Sequence, residues 1–231
     1  MNDQTKEAVE LLLSNRLFLY SLMHKLFGRE PDEELLNILT DEHTGEAFGL
    51  LSEEEKDIMD RTAVFLGEIR EEKENPAFLE EAKDEYTRLF IGPVSLVAPP
   101  WESVYGQKDA MLFQESTLEV RNTYRQYGLI PEGYPHVADD SLALELHFMA
   151  LLAQRSLDAF YAGKNDDLTA DLTGSSDFLK KHLLVWVPKF LERMKGAKTN
   201  ILYPQMCLVL DEFLRKDAET VEEVLQALDE C

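Results

Sequence analysis

Among the side chains able to do chemistry, the densest group is His136, Asp139, Asp140, Glu145 and His147. Imidazoles and carboxylates gathered in one segment could hold a metal ion, but Glu145 and His147 are two residues apart and cannot share a helical face, and the pair is not the Glu-x-x-His of di-iron bundles. No metal site is expected there, and Asp139 or Asp140 reads instead as the cap of the helix that follows. Cys207 lies in no pattern that would pair it with a histidine as a nucleophile. The chain also lacks a Gly-rich phosphate loop, a GxSxG elbow, an HExxH and a CxxC. The expectation is a protein that is not an enzyme and carries no cofactor.

What remains is recognition, and its best candidate is Gly92–Tyr105, reading GPVSLVAPPWESVY. Pro93, Pro99 and Pro100 exclude an uninterrupted helix, because each lacks a backbone N–H and pushes the preceding residue toward extended conformations. Trp101 and Tyr105 follow the di-proline, so two amphipathic rings are held by a stiff segment at low conformational cost. From Gly92 to Met111 the connection is roughly 20 residues, against 2 to 8 in most helical domains, a length that usually signals function. Such a loop can grip an apolar peptide, and the same rings could equally plug the core beneath a long crossover.

The elements that must position this loop are helical. Lys6 to Phe27 places Val9, Leu12, Leu13, Leu17, Tyr20 and Leu26 near helical spacing, ended by Gly28 and Pro31. A shorter acidic helix follows, and Ser52 with Glu55 forms a capping box for a helix reaching Lys73. Asn75 as cap and Pro76 at the first helical position open a helix carrying Phe78, Leu79, Tyr86, Leu89 and Phe90 into the loop. Beyond it, Leu112 to Tyr127 reads as a helix stopped by Gly128, and Pro131, Gly133 and Pro135 make a second irregular link. Ser141 to Tyr161 is apolar on more than one face and reads as a central, buried helix. The remaining helices are expected at Ser175–Leu184, Pro188–Met194, Tyr203–Leu214 and Val221–Leu228, the last opened by the capping box Thr220 and Glu223. With no alternating strand pattern and no internal repeat, the fold class is all-α, a helical bundle forming a single domain over 1–231.

Charge narrows the partners. The 231 residues carry a formal charge of -22, which argues against nucleic acid and favours either a basic partner or plain solubility. Two cysteines are too few for a disulfide framework, the N-terminal stretch with Asp3, Glu7 and Glu10 does not read as a secretory signal, and no apolar run reaches the roughly 20 residues of a membrane span. A cytoplasmic protein is expected.

The run EYTRLFIGPVSLVAPPWESVY (Glu85–Tyr105), the stretch Leu112–Leu129, DDSLALELHFMALLA (Asp139–Ala153) and HLLVW with Phe190 together resemble the TorD/DmsD/NarJ family of molybdoenzyme maturation chaperones, with the APPWESVY segment nearer the TorD and DmsD branch. The resemblance implies a TorD-like all-α domain, monomeric or a homodimer. It further implies a chaperone that binds the twin-arginine signal peptide and the apo-form of the catalytic subunit of a molybdopterin-dependent oxidoreductase, delays export until the cofactor is inserted, and touches the export machinery transiently. Its binding residues fall on Pro99, Pro100, Trp101, Glu102, Ser103, Tyr105, Asp139, Asp140 and Ser141, with Glu145, His182 and Trp186 in support. Ser141 stands where relatives often carry histidine, which leaves Asp140, helped by Asp139 or Glu102, to pair with arginine while Trp101 and Tyr105 receive apolar side chains. Pro188 lies two residues after Trp186, where relatives place a proline just before the tryptophan. The alternative reading is a helical regulatory module that binds another protein through the same groove.

Overall fold

No glycine or proline interrupts the chain before Gly28, and the apolar stripe of the first segment recurs at helical spacing. In a computed structural model of the protein, which describes residues 3–51, 58–93, 95–106, 115–131 and 138–229, this segment is one long helix, α1 (Asp3–Gly28). The acidic stretch after it forms two short helices rather than the single one expected: α2 (Glu33–Leu39) and α3 (Glu42–Gly49). Each has its own aspartate cap, Asp32 accepting the Leu35 N–H at 2.8 Å and Asp41 the His43 N–H at 3.0 Å, so the chain restarts at Asp41. α4 spans Ile58–Glu72, and the capping box proposed at Ser52 and Glu55 lies outside the described residues. Asn75 caps α5 (Pro76–Tyr86) with Pro76 at its first position, as expected, and a π-helical turn over Thr87–Ile91 carries the chain to Gly92 at φ 95, a conformation that favours glycine.

Among the described residues of the loop, 103–106 form the four-residue helix α6 (Ser103–Gly106). α7 (Glu115–Gln126) ends before Gly128 at φ 72, and the central helix is α8 (Leu142–Tyr161). Then follow α9 (Asn165–Phe178), a π-helical turn at Leu179–Leu183, α10 (Leu184–Met194) and α11 (Tyr203–Asp229). The all-α expectation holds: the described residues contain no strand, only an isolated antiparallel bridge between Trp101 and Ser141.

Four boundaries differ from the sequence reading. Pro188 does not open a helix but lies inside α10, and the helix expected from Ser175 belongs to a longer one that starts at Asn165 and passes through the π turn. Thr220 and Glu223 cap nothing, because α11 runs unbroken through them: Arg215–Thr220 contains neither Gly nor Pro to stop it. Asp139 and Asp140 do not cap α8 either, since Ser141 does so with its hydroxyl facing the Leu144 N–H at 3.4 Å.

The chain divides into two compact units, Met1–His24 with Trp101–Trp186 and Leu214–Cys231, and Lys25–Pro100 with Val187–Phe213. In the first, Val9 and Leu13 of α1 pack with Leu157 of α8, Leu168 and Leu172 of α9, and Val221 and Val224 of α11. Charge is built into the same unit: the buried Arg16 guanidinium pairs with Asp217, whose Oδ2 also accepts the Tyr20 hydroxyl at 2.6 Å. In the second unit the wholly buried Glu85 accepts the backbone N–H groups of Ile201, Leu202 and Tyr203 at 2.7–2.8 Å and the Thr199 hydroxyl at 2.7 Å. A carboxylate there satisfies donors that the start of α11 leaves unpaired. Phe27, Tyr86, Phe90 and Tyr203 close around each other with ring centroids 5.2–6.2 Å apart.

Truncating one partner of the buried ion pair strands the other. Asp217→Ala should destabilise the fold by about 3–5 kcal/mol in urea denaturation. Glu85→Gln, which turns an NH2 toward backbone donors, should cost about 1–3 kcal/mol. An unchanged unfolding midpoint in either variant would remove that interaction from the account.

Candidate functional site

The turn before α8 organises the loop. Asp140 uses both of its acceptors on it: the backbone carbonyl receives the Glu102 N–H at 2.9 Å, and carboxylate Oδ2 receives the Ser103 N–H at 2.8 Å. This is why it does not cap α8; its side chain is turned to the loop, and Ser141, in extended conformation, takes the cap. The Val104 and Tyr105 N–H groups then close α6 onto the carbonyls of Trp101 and Glu102 at 3.2 and 2.8 Å. Residues 101–103 are thereby held against 140–141 by main-chain bonds and one charge-assisted bond.

Around this junction lie four buried carboxyl groups, Glu102, Asp139, Asp140 and Glu145, the last three with no exposed surface. Asp139 Oδ2 accepts the Arg121 guanidinium of α7 at 2.6 and 2.9 Å, and its carbonyl accepts the Tyr124 hydroxyl at 3.0 Å. Glu102 meets His182 Nδ1 at 2.9 Å; against a carboxylate that nitrogen is the donor. Glu145 Oε2 accepts the Trp186 indole N–H at 2.9 Å. Burial, with Glu102 and then Asp140 nearby, pushes the Glu145 carboxyl well above the usual carboxylate range, which favours its protonated form. Burial likewise raises the Tyr124 phenol. Four carboxyl groups gathered at one junction, one of them on the Arg121 guanidinium and one on the His182 ring, make a second negative charge beside Glu102 and Asp140 costly.

The two aromatic rings of the loop have different environments. Tyr105 is 8% exposed and stacks on Trp186 with centroids 5.5 Å apart, so it is packed as a core residue. Trp101 is half-buried, as are Ser141 across the bridge and Pro99 and Pro100 before it in the chain. Ser103, Glu102, Asp139, Asp140, Glu145, His182 and Trp186 are buried. The structure thus gathers Trp101 to Tyr105, Asp139 to Ser141, Glu145, His182 and Trp186 around one junction, in which Trp101 and Ser141 are half-buried and Tyr105 and the rest are buried. Arg121 and Tyr124 complete the network and were not legible: they sit in a polar helix without a motif.

The residues considered for a metal part company. His147 is exposed and stacks on His24 at 4.4 Å, His136 lies outside the described residues, and among the described residues no group of three or more ligands could hold a metal ion. In the second unit, burial and then Glu85 push the wholly buried Cys207 thiol far up, which keeps it a thiol. No described helix is long and apolar enough to cross a membrane.

Known proteins are similar to this chain in sequence. The chain is 27% identical over 223 residues to the "Chaperone protein TorD" of Vibrio cholerae, covering 95% of this chain and 98% of that one. It is 26% identical over 133 residues to the "Probable Tat proofreading chaperone DmsD" of Haemophilus influenzae, and the match spans 58% of each chain. A "Tat proofreading chaperone DmsD" of Salmonella typhi is 32% identical over 107 residues, 46% of each chain. Residues 49–192, more than half the chain and the segment that carries both the loop and the turn before α8, match the family described as nitrate reductase delta subunit. By that match the chain belongs to this family, the TorD/DmsD/NarJ group whose motifs its sequence carries.

Proposed function

We propose that the protein is a system-specific chaperone that works in the cytoplasm, binding the twin-arginine signal peptide and the apo-form of a molybdopterin-dependent oxidoreductase and delaying export until the cofactor is in place. The observation that carries this reading is a half-buried tryptophan whose backbone is fixed beside buried carboxylates: Trp101 bridges to Ser141, while Asp140 holds the two residues after it. A twin-arginine leader joins a basic pair to an apolar segment, and an aromatic face backed by negative charge in a chain of net charge -22 complements both. The relatives' printed names, TorD chaperone and Tat proofreading chaperone, support it.

Trp101 takes an apolar side chain of the leader, stiffened by the two prolines before it. Tyr105, packed on Trp186, supports the loop from beneath. Asp140 is wholly buried on the Ser103 N–H, so it meets an arginine only when the loop lifts. In the closed loop it is a positioning residue, and with Glu102 and Asp139 it supplies the field that favours a guanidinium.

Titration calorimetry with a synthetic twin-arginine leader tests the reading. Binding should weaken when both arginines become alanine, and Trp101→Ala should weaken it about thirty-fold, or about 2 kcal/mol, without lowering the unfolding midpoint. Equal affinity for the leader with and without its arginines would favour a helical module that binds some other partner.

The proton on Glu145 gives a second test. The folded state keeps it at a pH where an unfolded glutamate has lost it, so the stabilisation is full below the ordinary glutamate value and is lost as pH rises toward the raised one. Glu145→Gln keeps an acceptor for Trp186 without the ionisation. Its thermal midpoint should gain on the parent as pH goes from about 5 to about 8; a constant difference across that range would contradict the buried proton.

A further inference from the structure

The two aspartates before α8 are held in unlike ways. Asp140 takes a main-chain N–H of the loop, whereas Asp139 is held by a side chain, Arg121 of α7. That pairing uses half of the carboxylate. Nε and Nη2 of Arg121 both donate to Oδ2, at 2.9 and 2.6 Å, and the buried Oδ1 meets no donor among the described residues. A fork-to-fork pair would use both oxygens, so this bond is short of the best a guanidinium can make. Asp140 Oδ1 and Ser103 Oγ are likewise buried and without a partner among the described residues. Unmet acceptors beside a guanidinium mark a place where a further set of N–H donors would be satisfied. Asp139 is 1% exposed and the Arg121 side chain 18%, so a ligand coming from water meets the arginine first. α6, which begins two residues after Trp101, packs against α7, so this arginine belongs to the same junction as the loop.

Resting on the leader reading of the Trp101 loop, we propose that Arg121 is a specificity-determining residue that stands in, in the closed site, for an arginine of the leader. Binding exchanges one guanidinium for another on Asp139 and releases Arg121 to solvent. The buried carboxylate is paired before and after, so the exchange strands no charge in the interior. The incoming guanidinium gains the oxygen that Arg121 leaves unused. Asp139 rather than Asp140 is then the carboxylate that reads the arginine, because reaching it displaces one side chain and not the loop. A lysine ammonium has no planar fork and cannot make the same replacement. An apolar segment without a guanidinium leaves Arg121 in place.

The test is a cycle of four titrations: the full chain and its Arg121→Gln variant, each with a twin-arginine leader and with the same leader carrying alanine at both arginines. Glutamine keeps an N–H donor for Asp139 and gives up the charge. The variant should bind the twin-arginine leader about ten-fold more tightly than the parent chain and the alanine leader no differently, a coupling between the two guanidinium groups. A second readout needs no substitution. In the isotopically labelled parent chain, the Arg121 Nε–H resonance should move and exchange faster with water when the twin-arginine leader is added. Equal or weaker binding of that leader by the variant would overturn the proposal. So would the same gain for both leaders, which a merely loosened loop would give, or an Arg121 resonance that stays in place in the bound parent chain. A leader that binds neither protein overturns the reading on which the exchange rests, so the two failures show as different results.

Discussion

The candidate site depends on one residue's double use of its acceptors. Asp140 gives its carbonyl to the Glu102 N–H and its carboxylate to the Ser103 N–H, and with these two bonds the turn before α8 holds the residues that lead from Trp101 into α6. An ionised acceptor on a buried N–H is roughly twice as strong as a neutral one, and removing it leaves that donor unsatisfied. The neighbouring acids follow from this arrangement. Burying Asp140 next to Glu102 and Glu145 concentrates carboxyl groups; the Arg121 guanidinium pairs with neighbouring Asp139, His182 hydrogen-bonds Glu102, and the protonated form of Glu145 is favoured.

The result is a division of labour among residues that look alike in the sequence. Trp101 and Tyr105 are both amphipathic rings after a di-proline, yet one is half-open and the other lies against Trp186. Asp139 and Asp140 both precede a helix, yet one grips Arg121 and the other the loop. In each pair the local chemistry is the same, and the tertiary partner, distant in sequence, decides the role.

That is also the boundary of what the sequence could reveal. The helices were legible wherever apolar spacing and punctuation agreed, as in α1, in α5 behind Asn75 and Pro76, and in α8. Local signals misled where tertiary contacts overrode them: Thr220 and Glu223 match a capping box but lie in the middle of α11, and Pro188 sits within α10 instead of opening it. The loop and the turn were both identified, but which side chains would be buried was not. A signal for the hidden networks was nevertheless present. Arg16, Glu85 and Asp217 each occupy a position on an otherwise apolar stripe, and a charge in that register must find a partner when the helix packs.

Whether Trp101 is the face that receives a twin-arginine leader can be read directly, because the chain has only two tryptophans and their surroundings differ. Trp186 is buried, its indole N–H on Glu145, while Trp101 is half-open. In a proton–nitrogen correlation spectrum of the labelled protein, adding the leader should move the Trp101 indole resonance and leave that of Trp186 in place. A leader that binds while the Trp101 resonance stays unmoved would contradict the account.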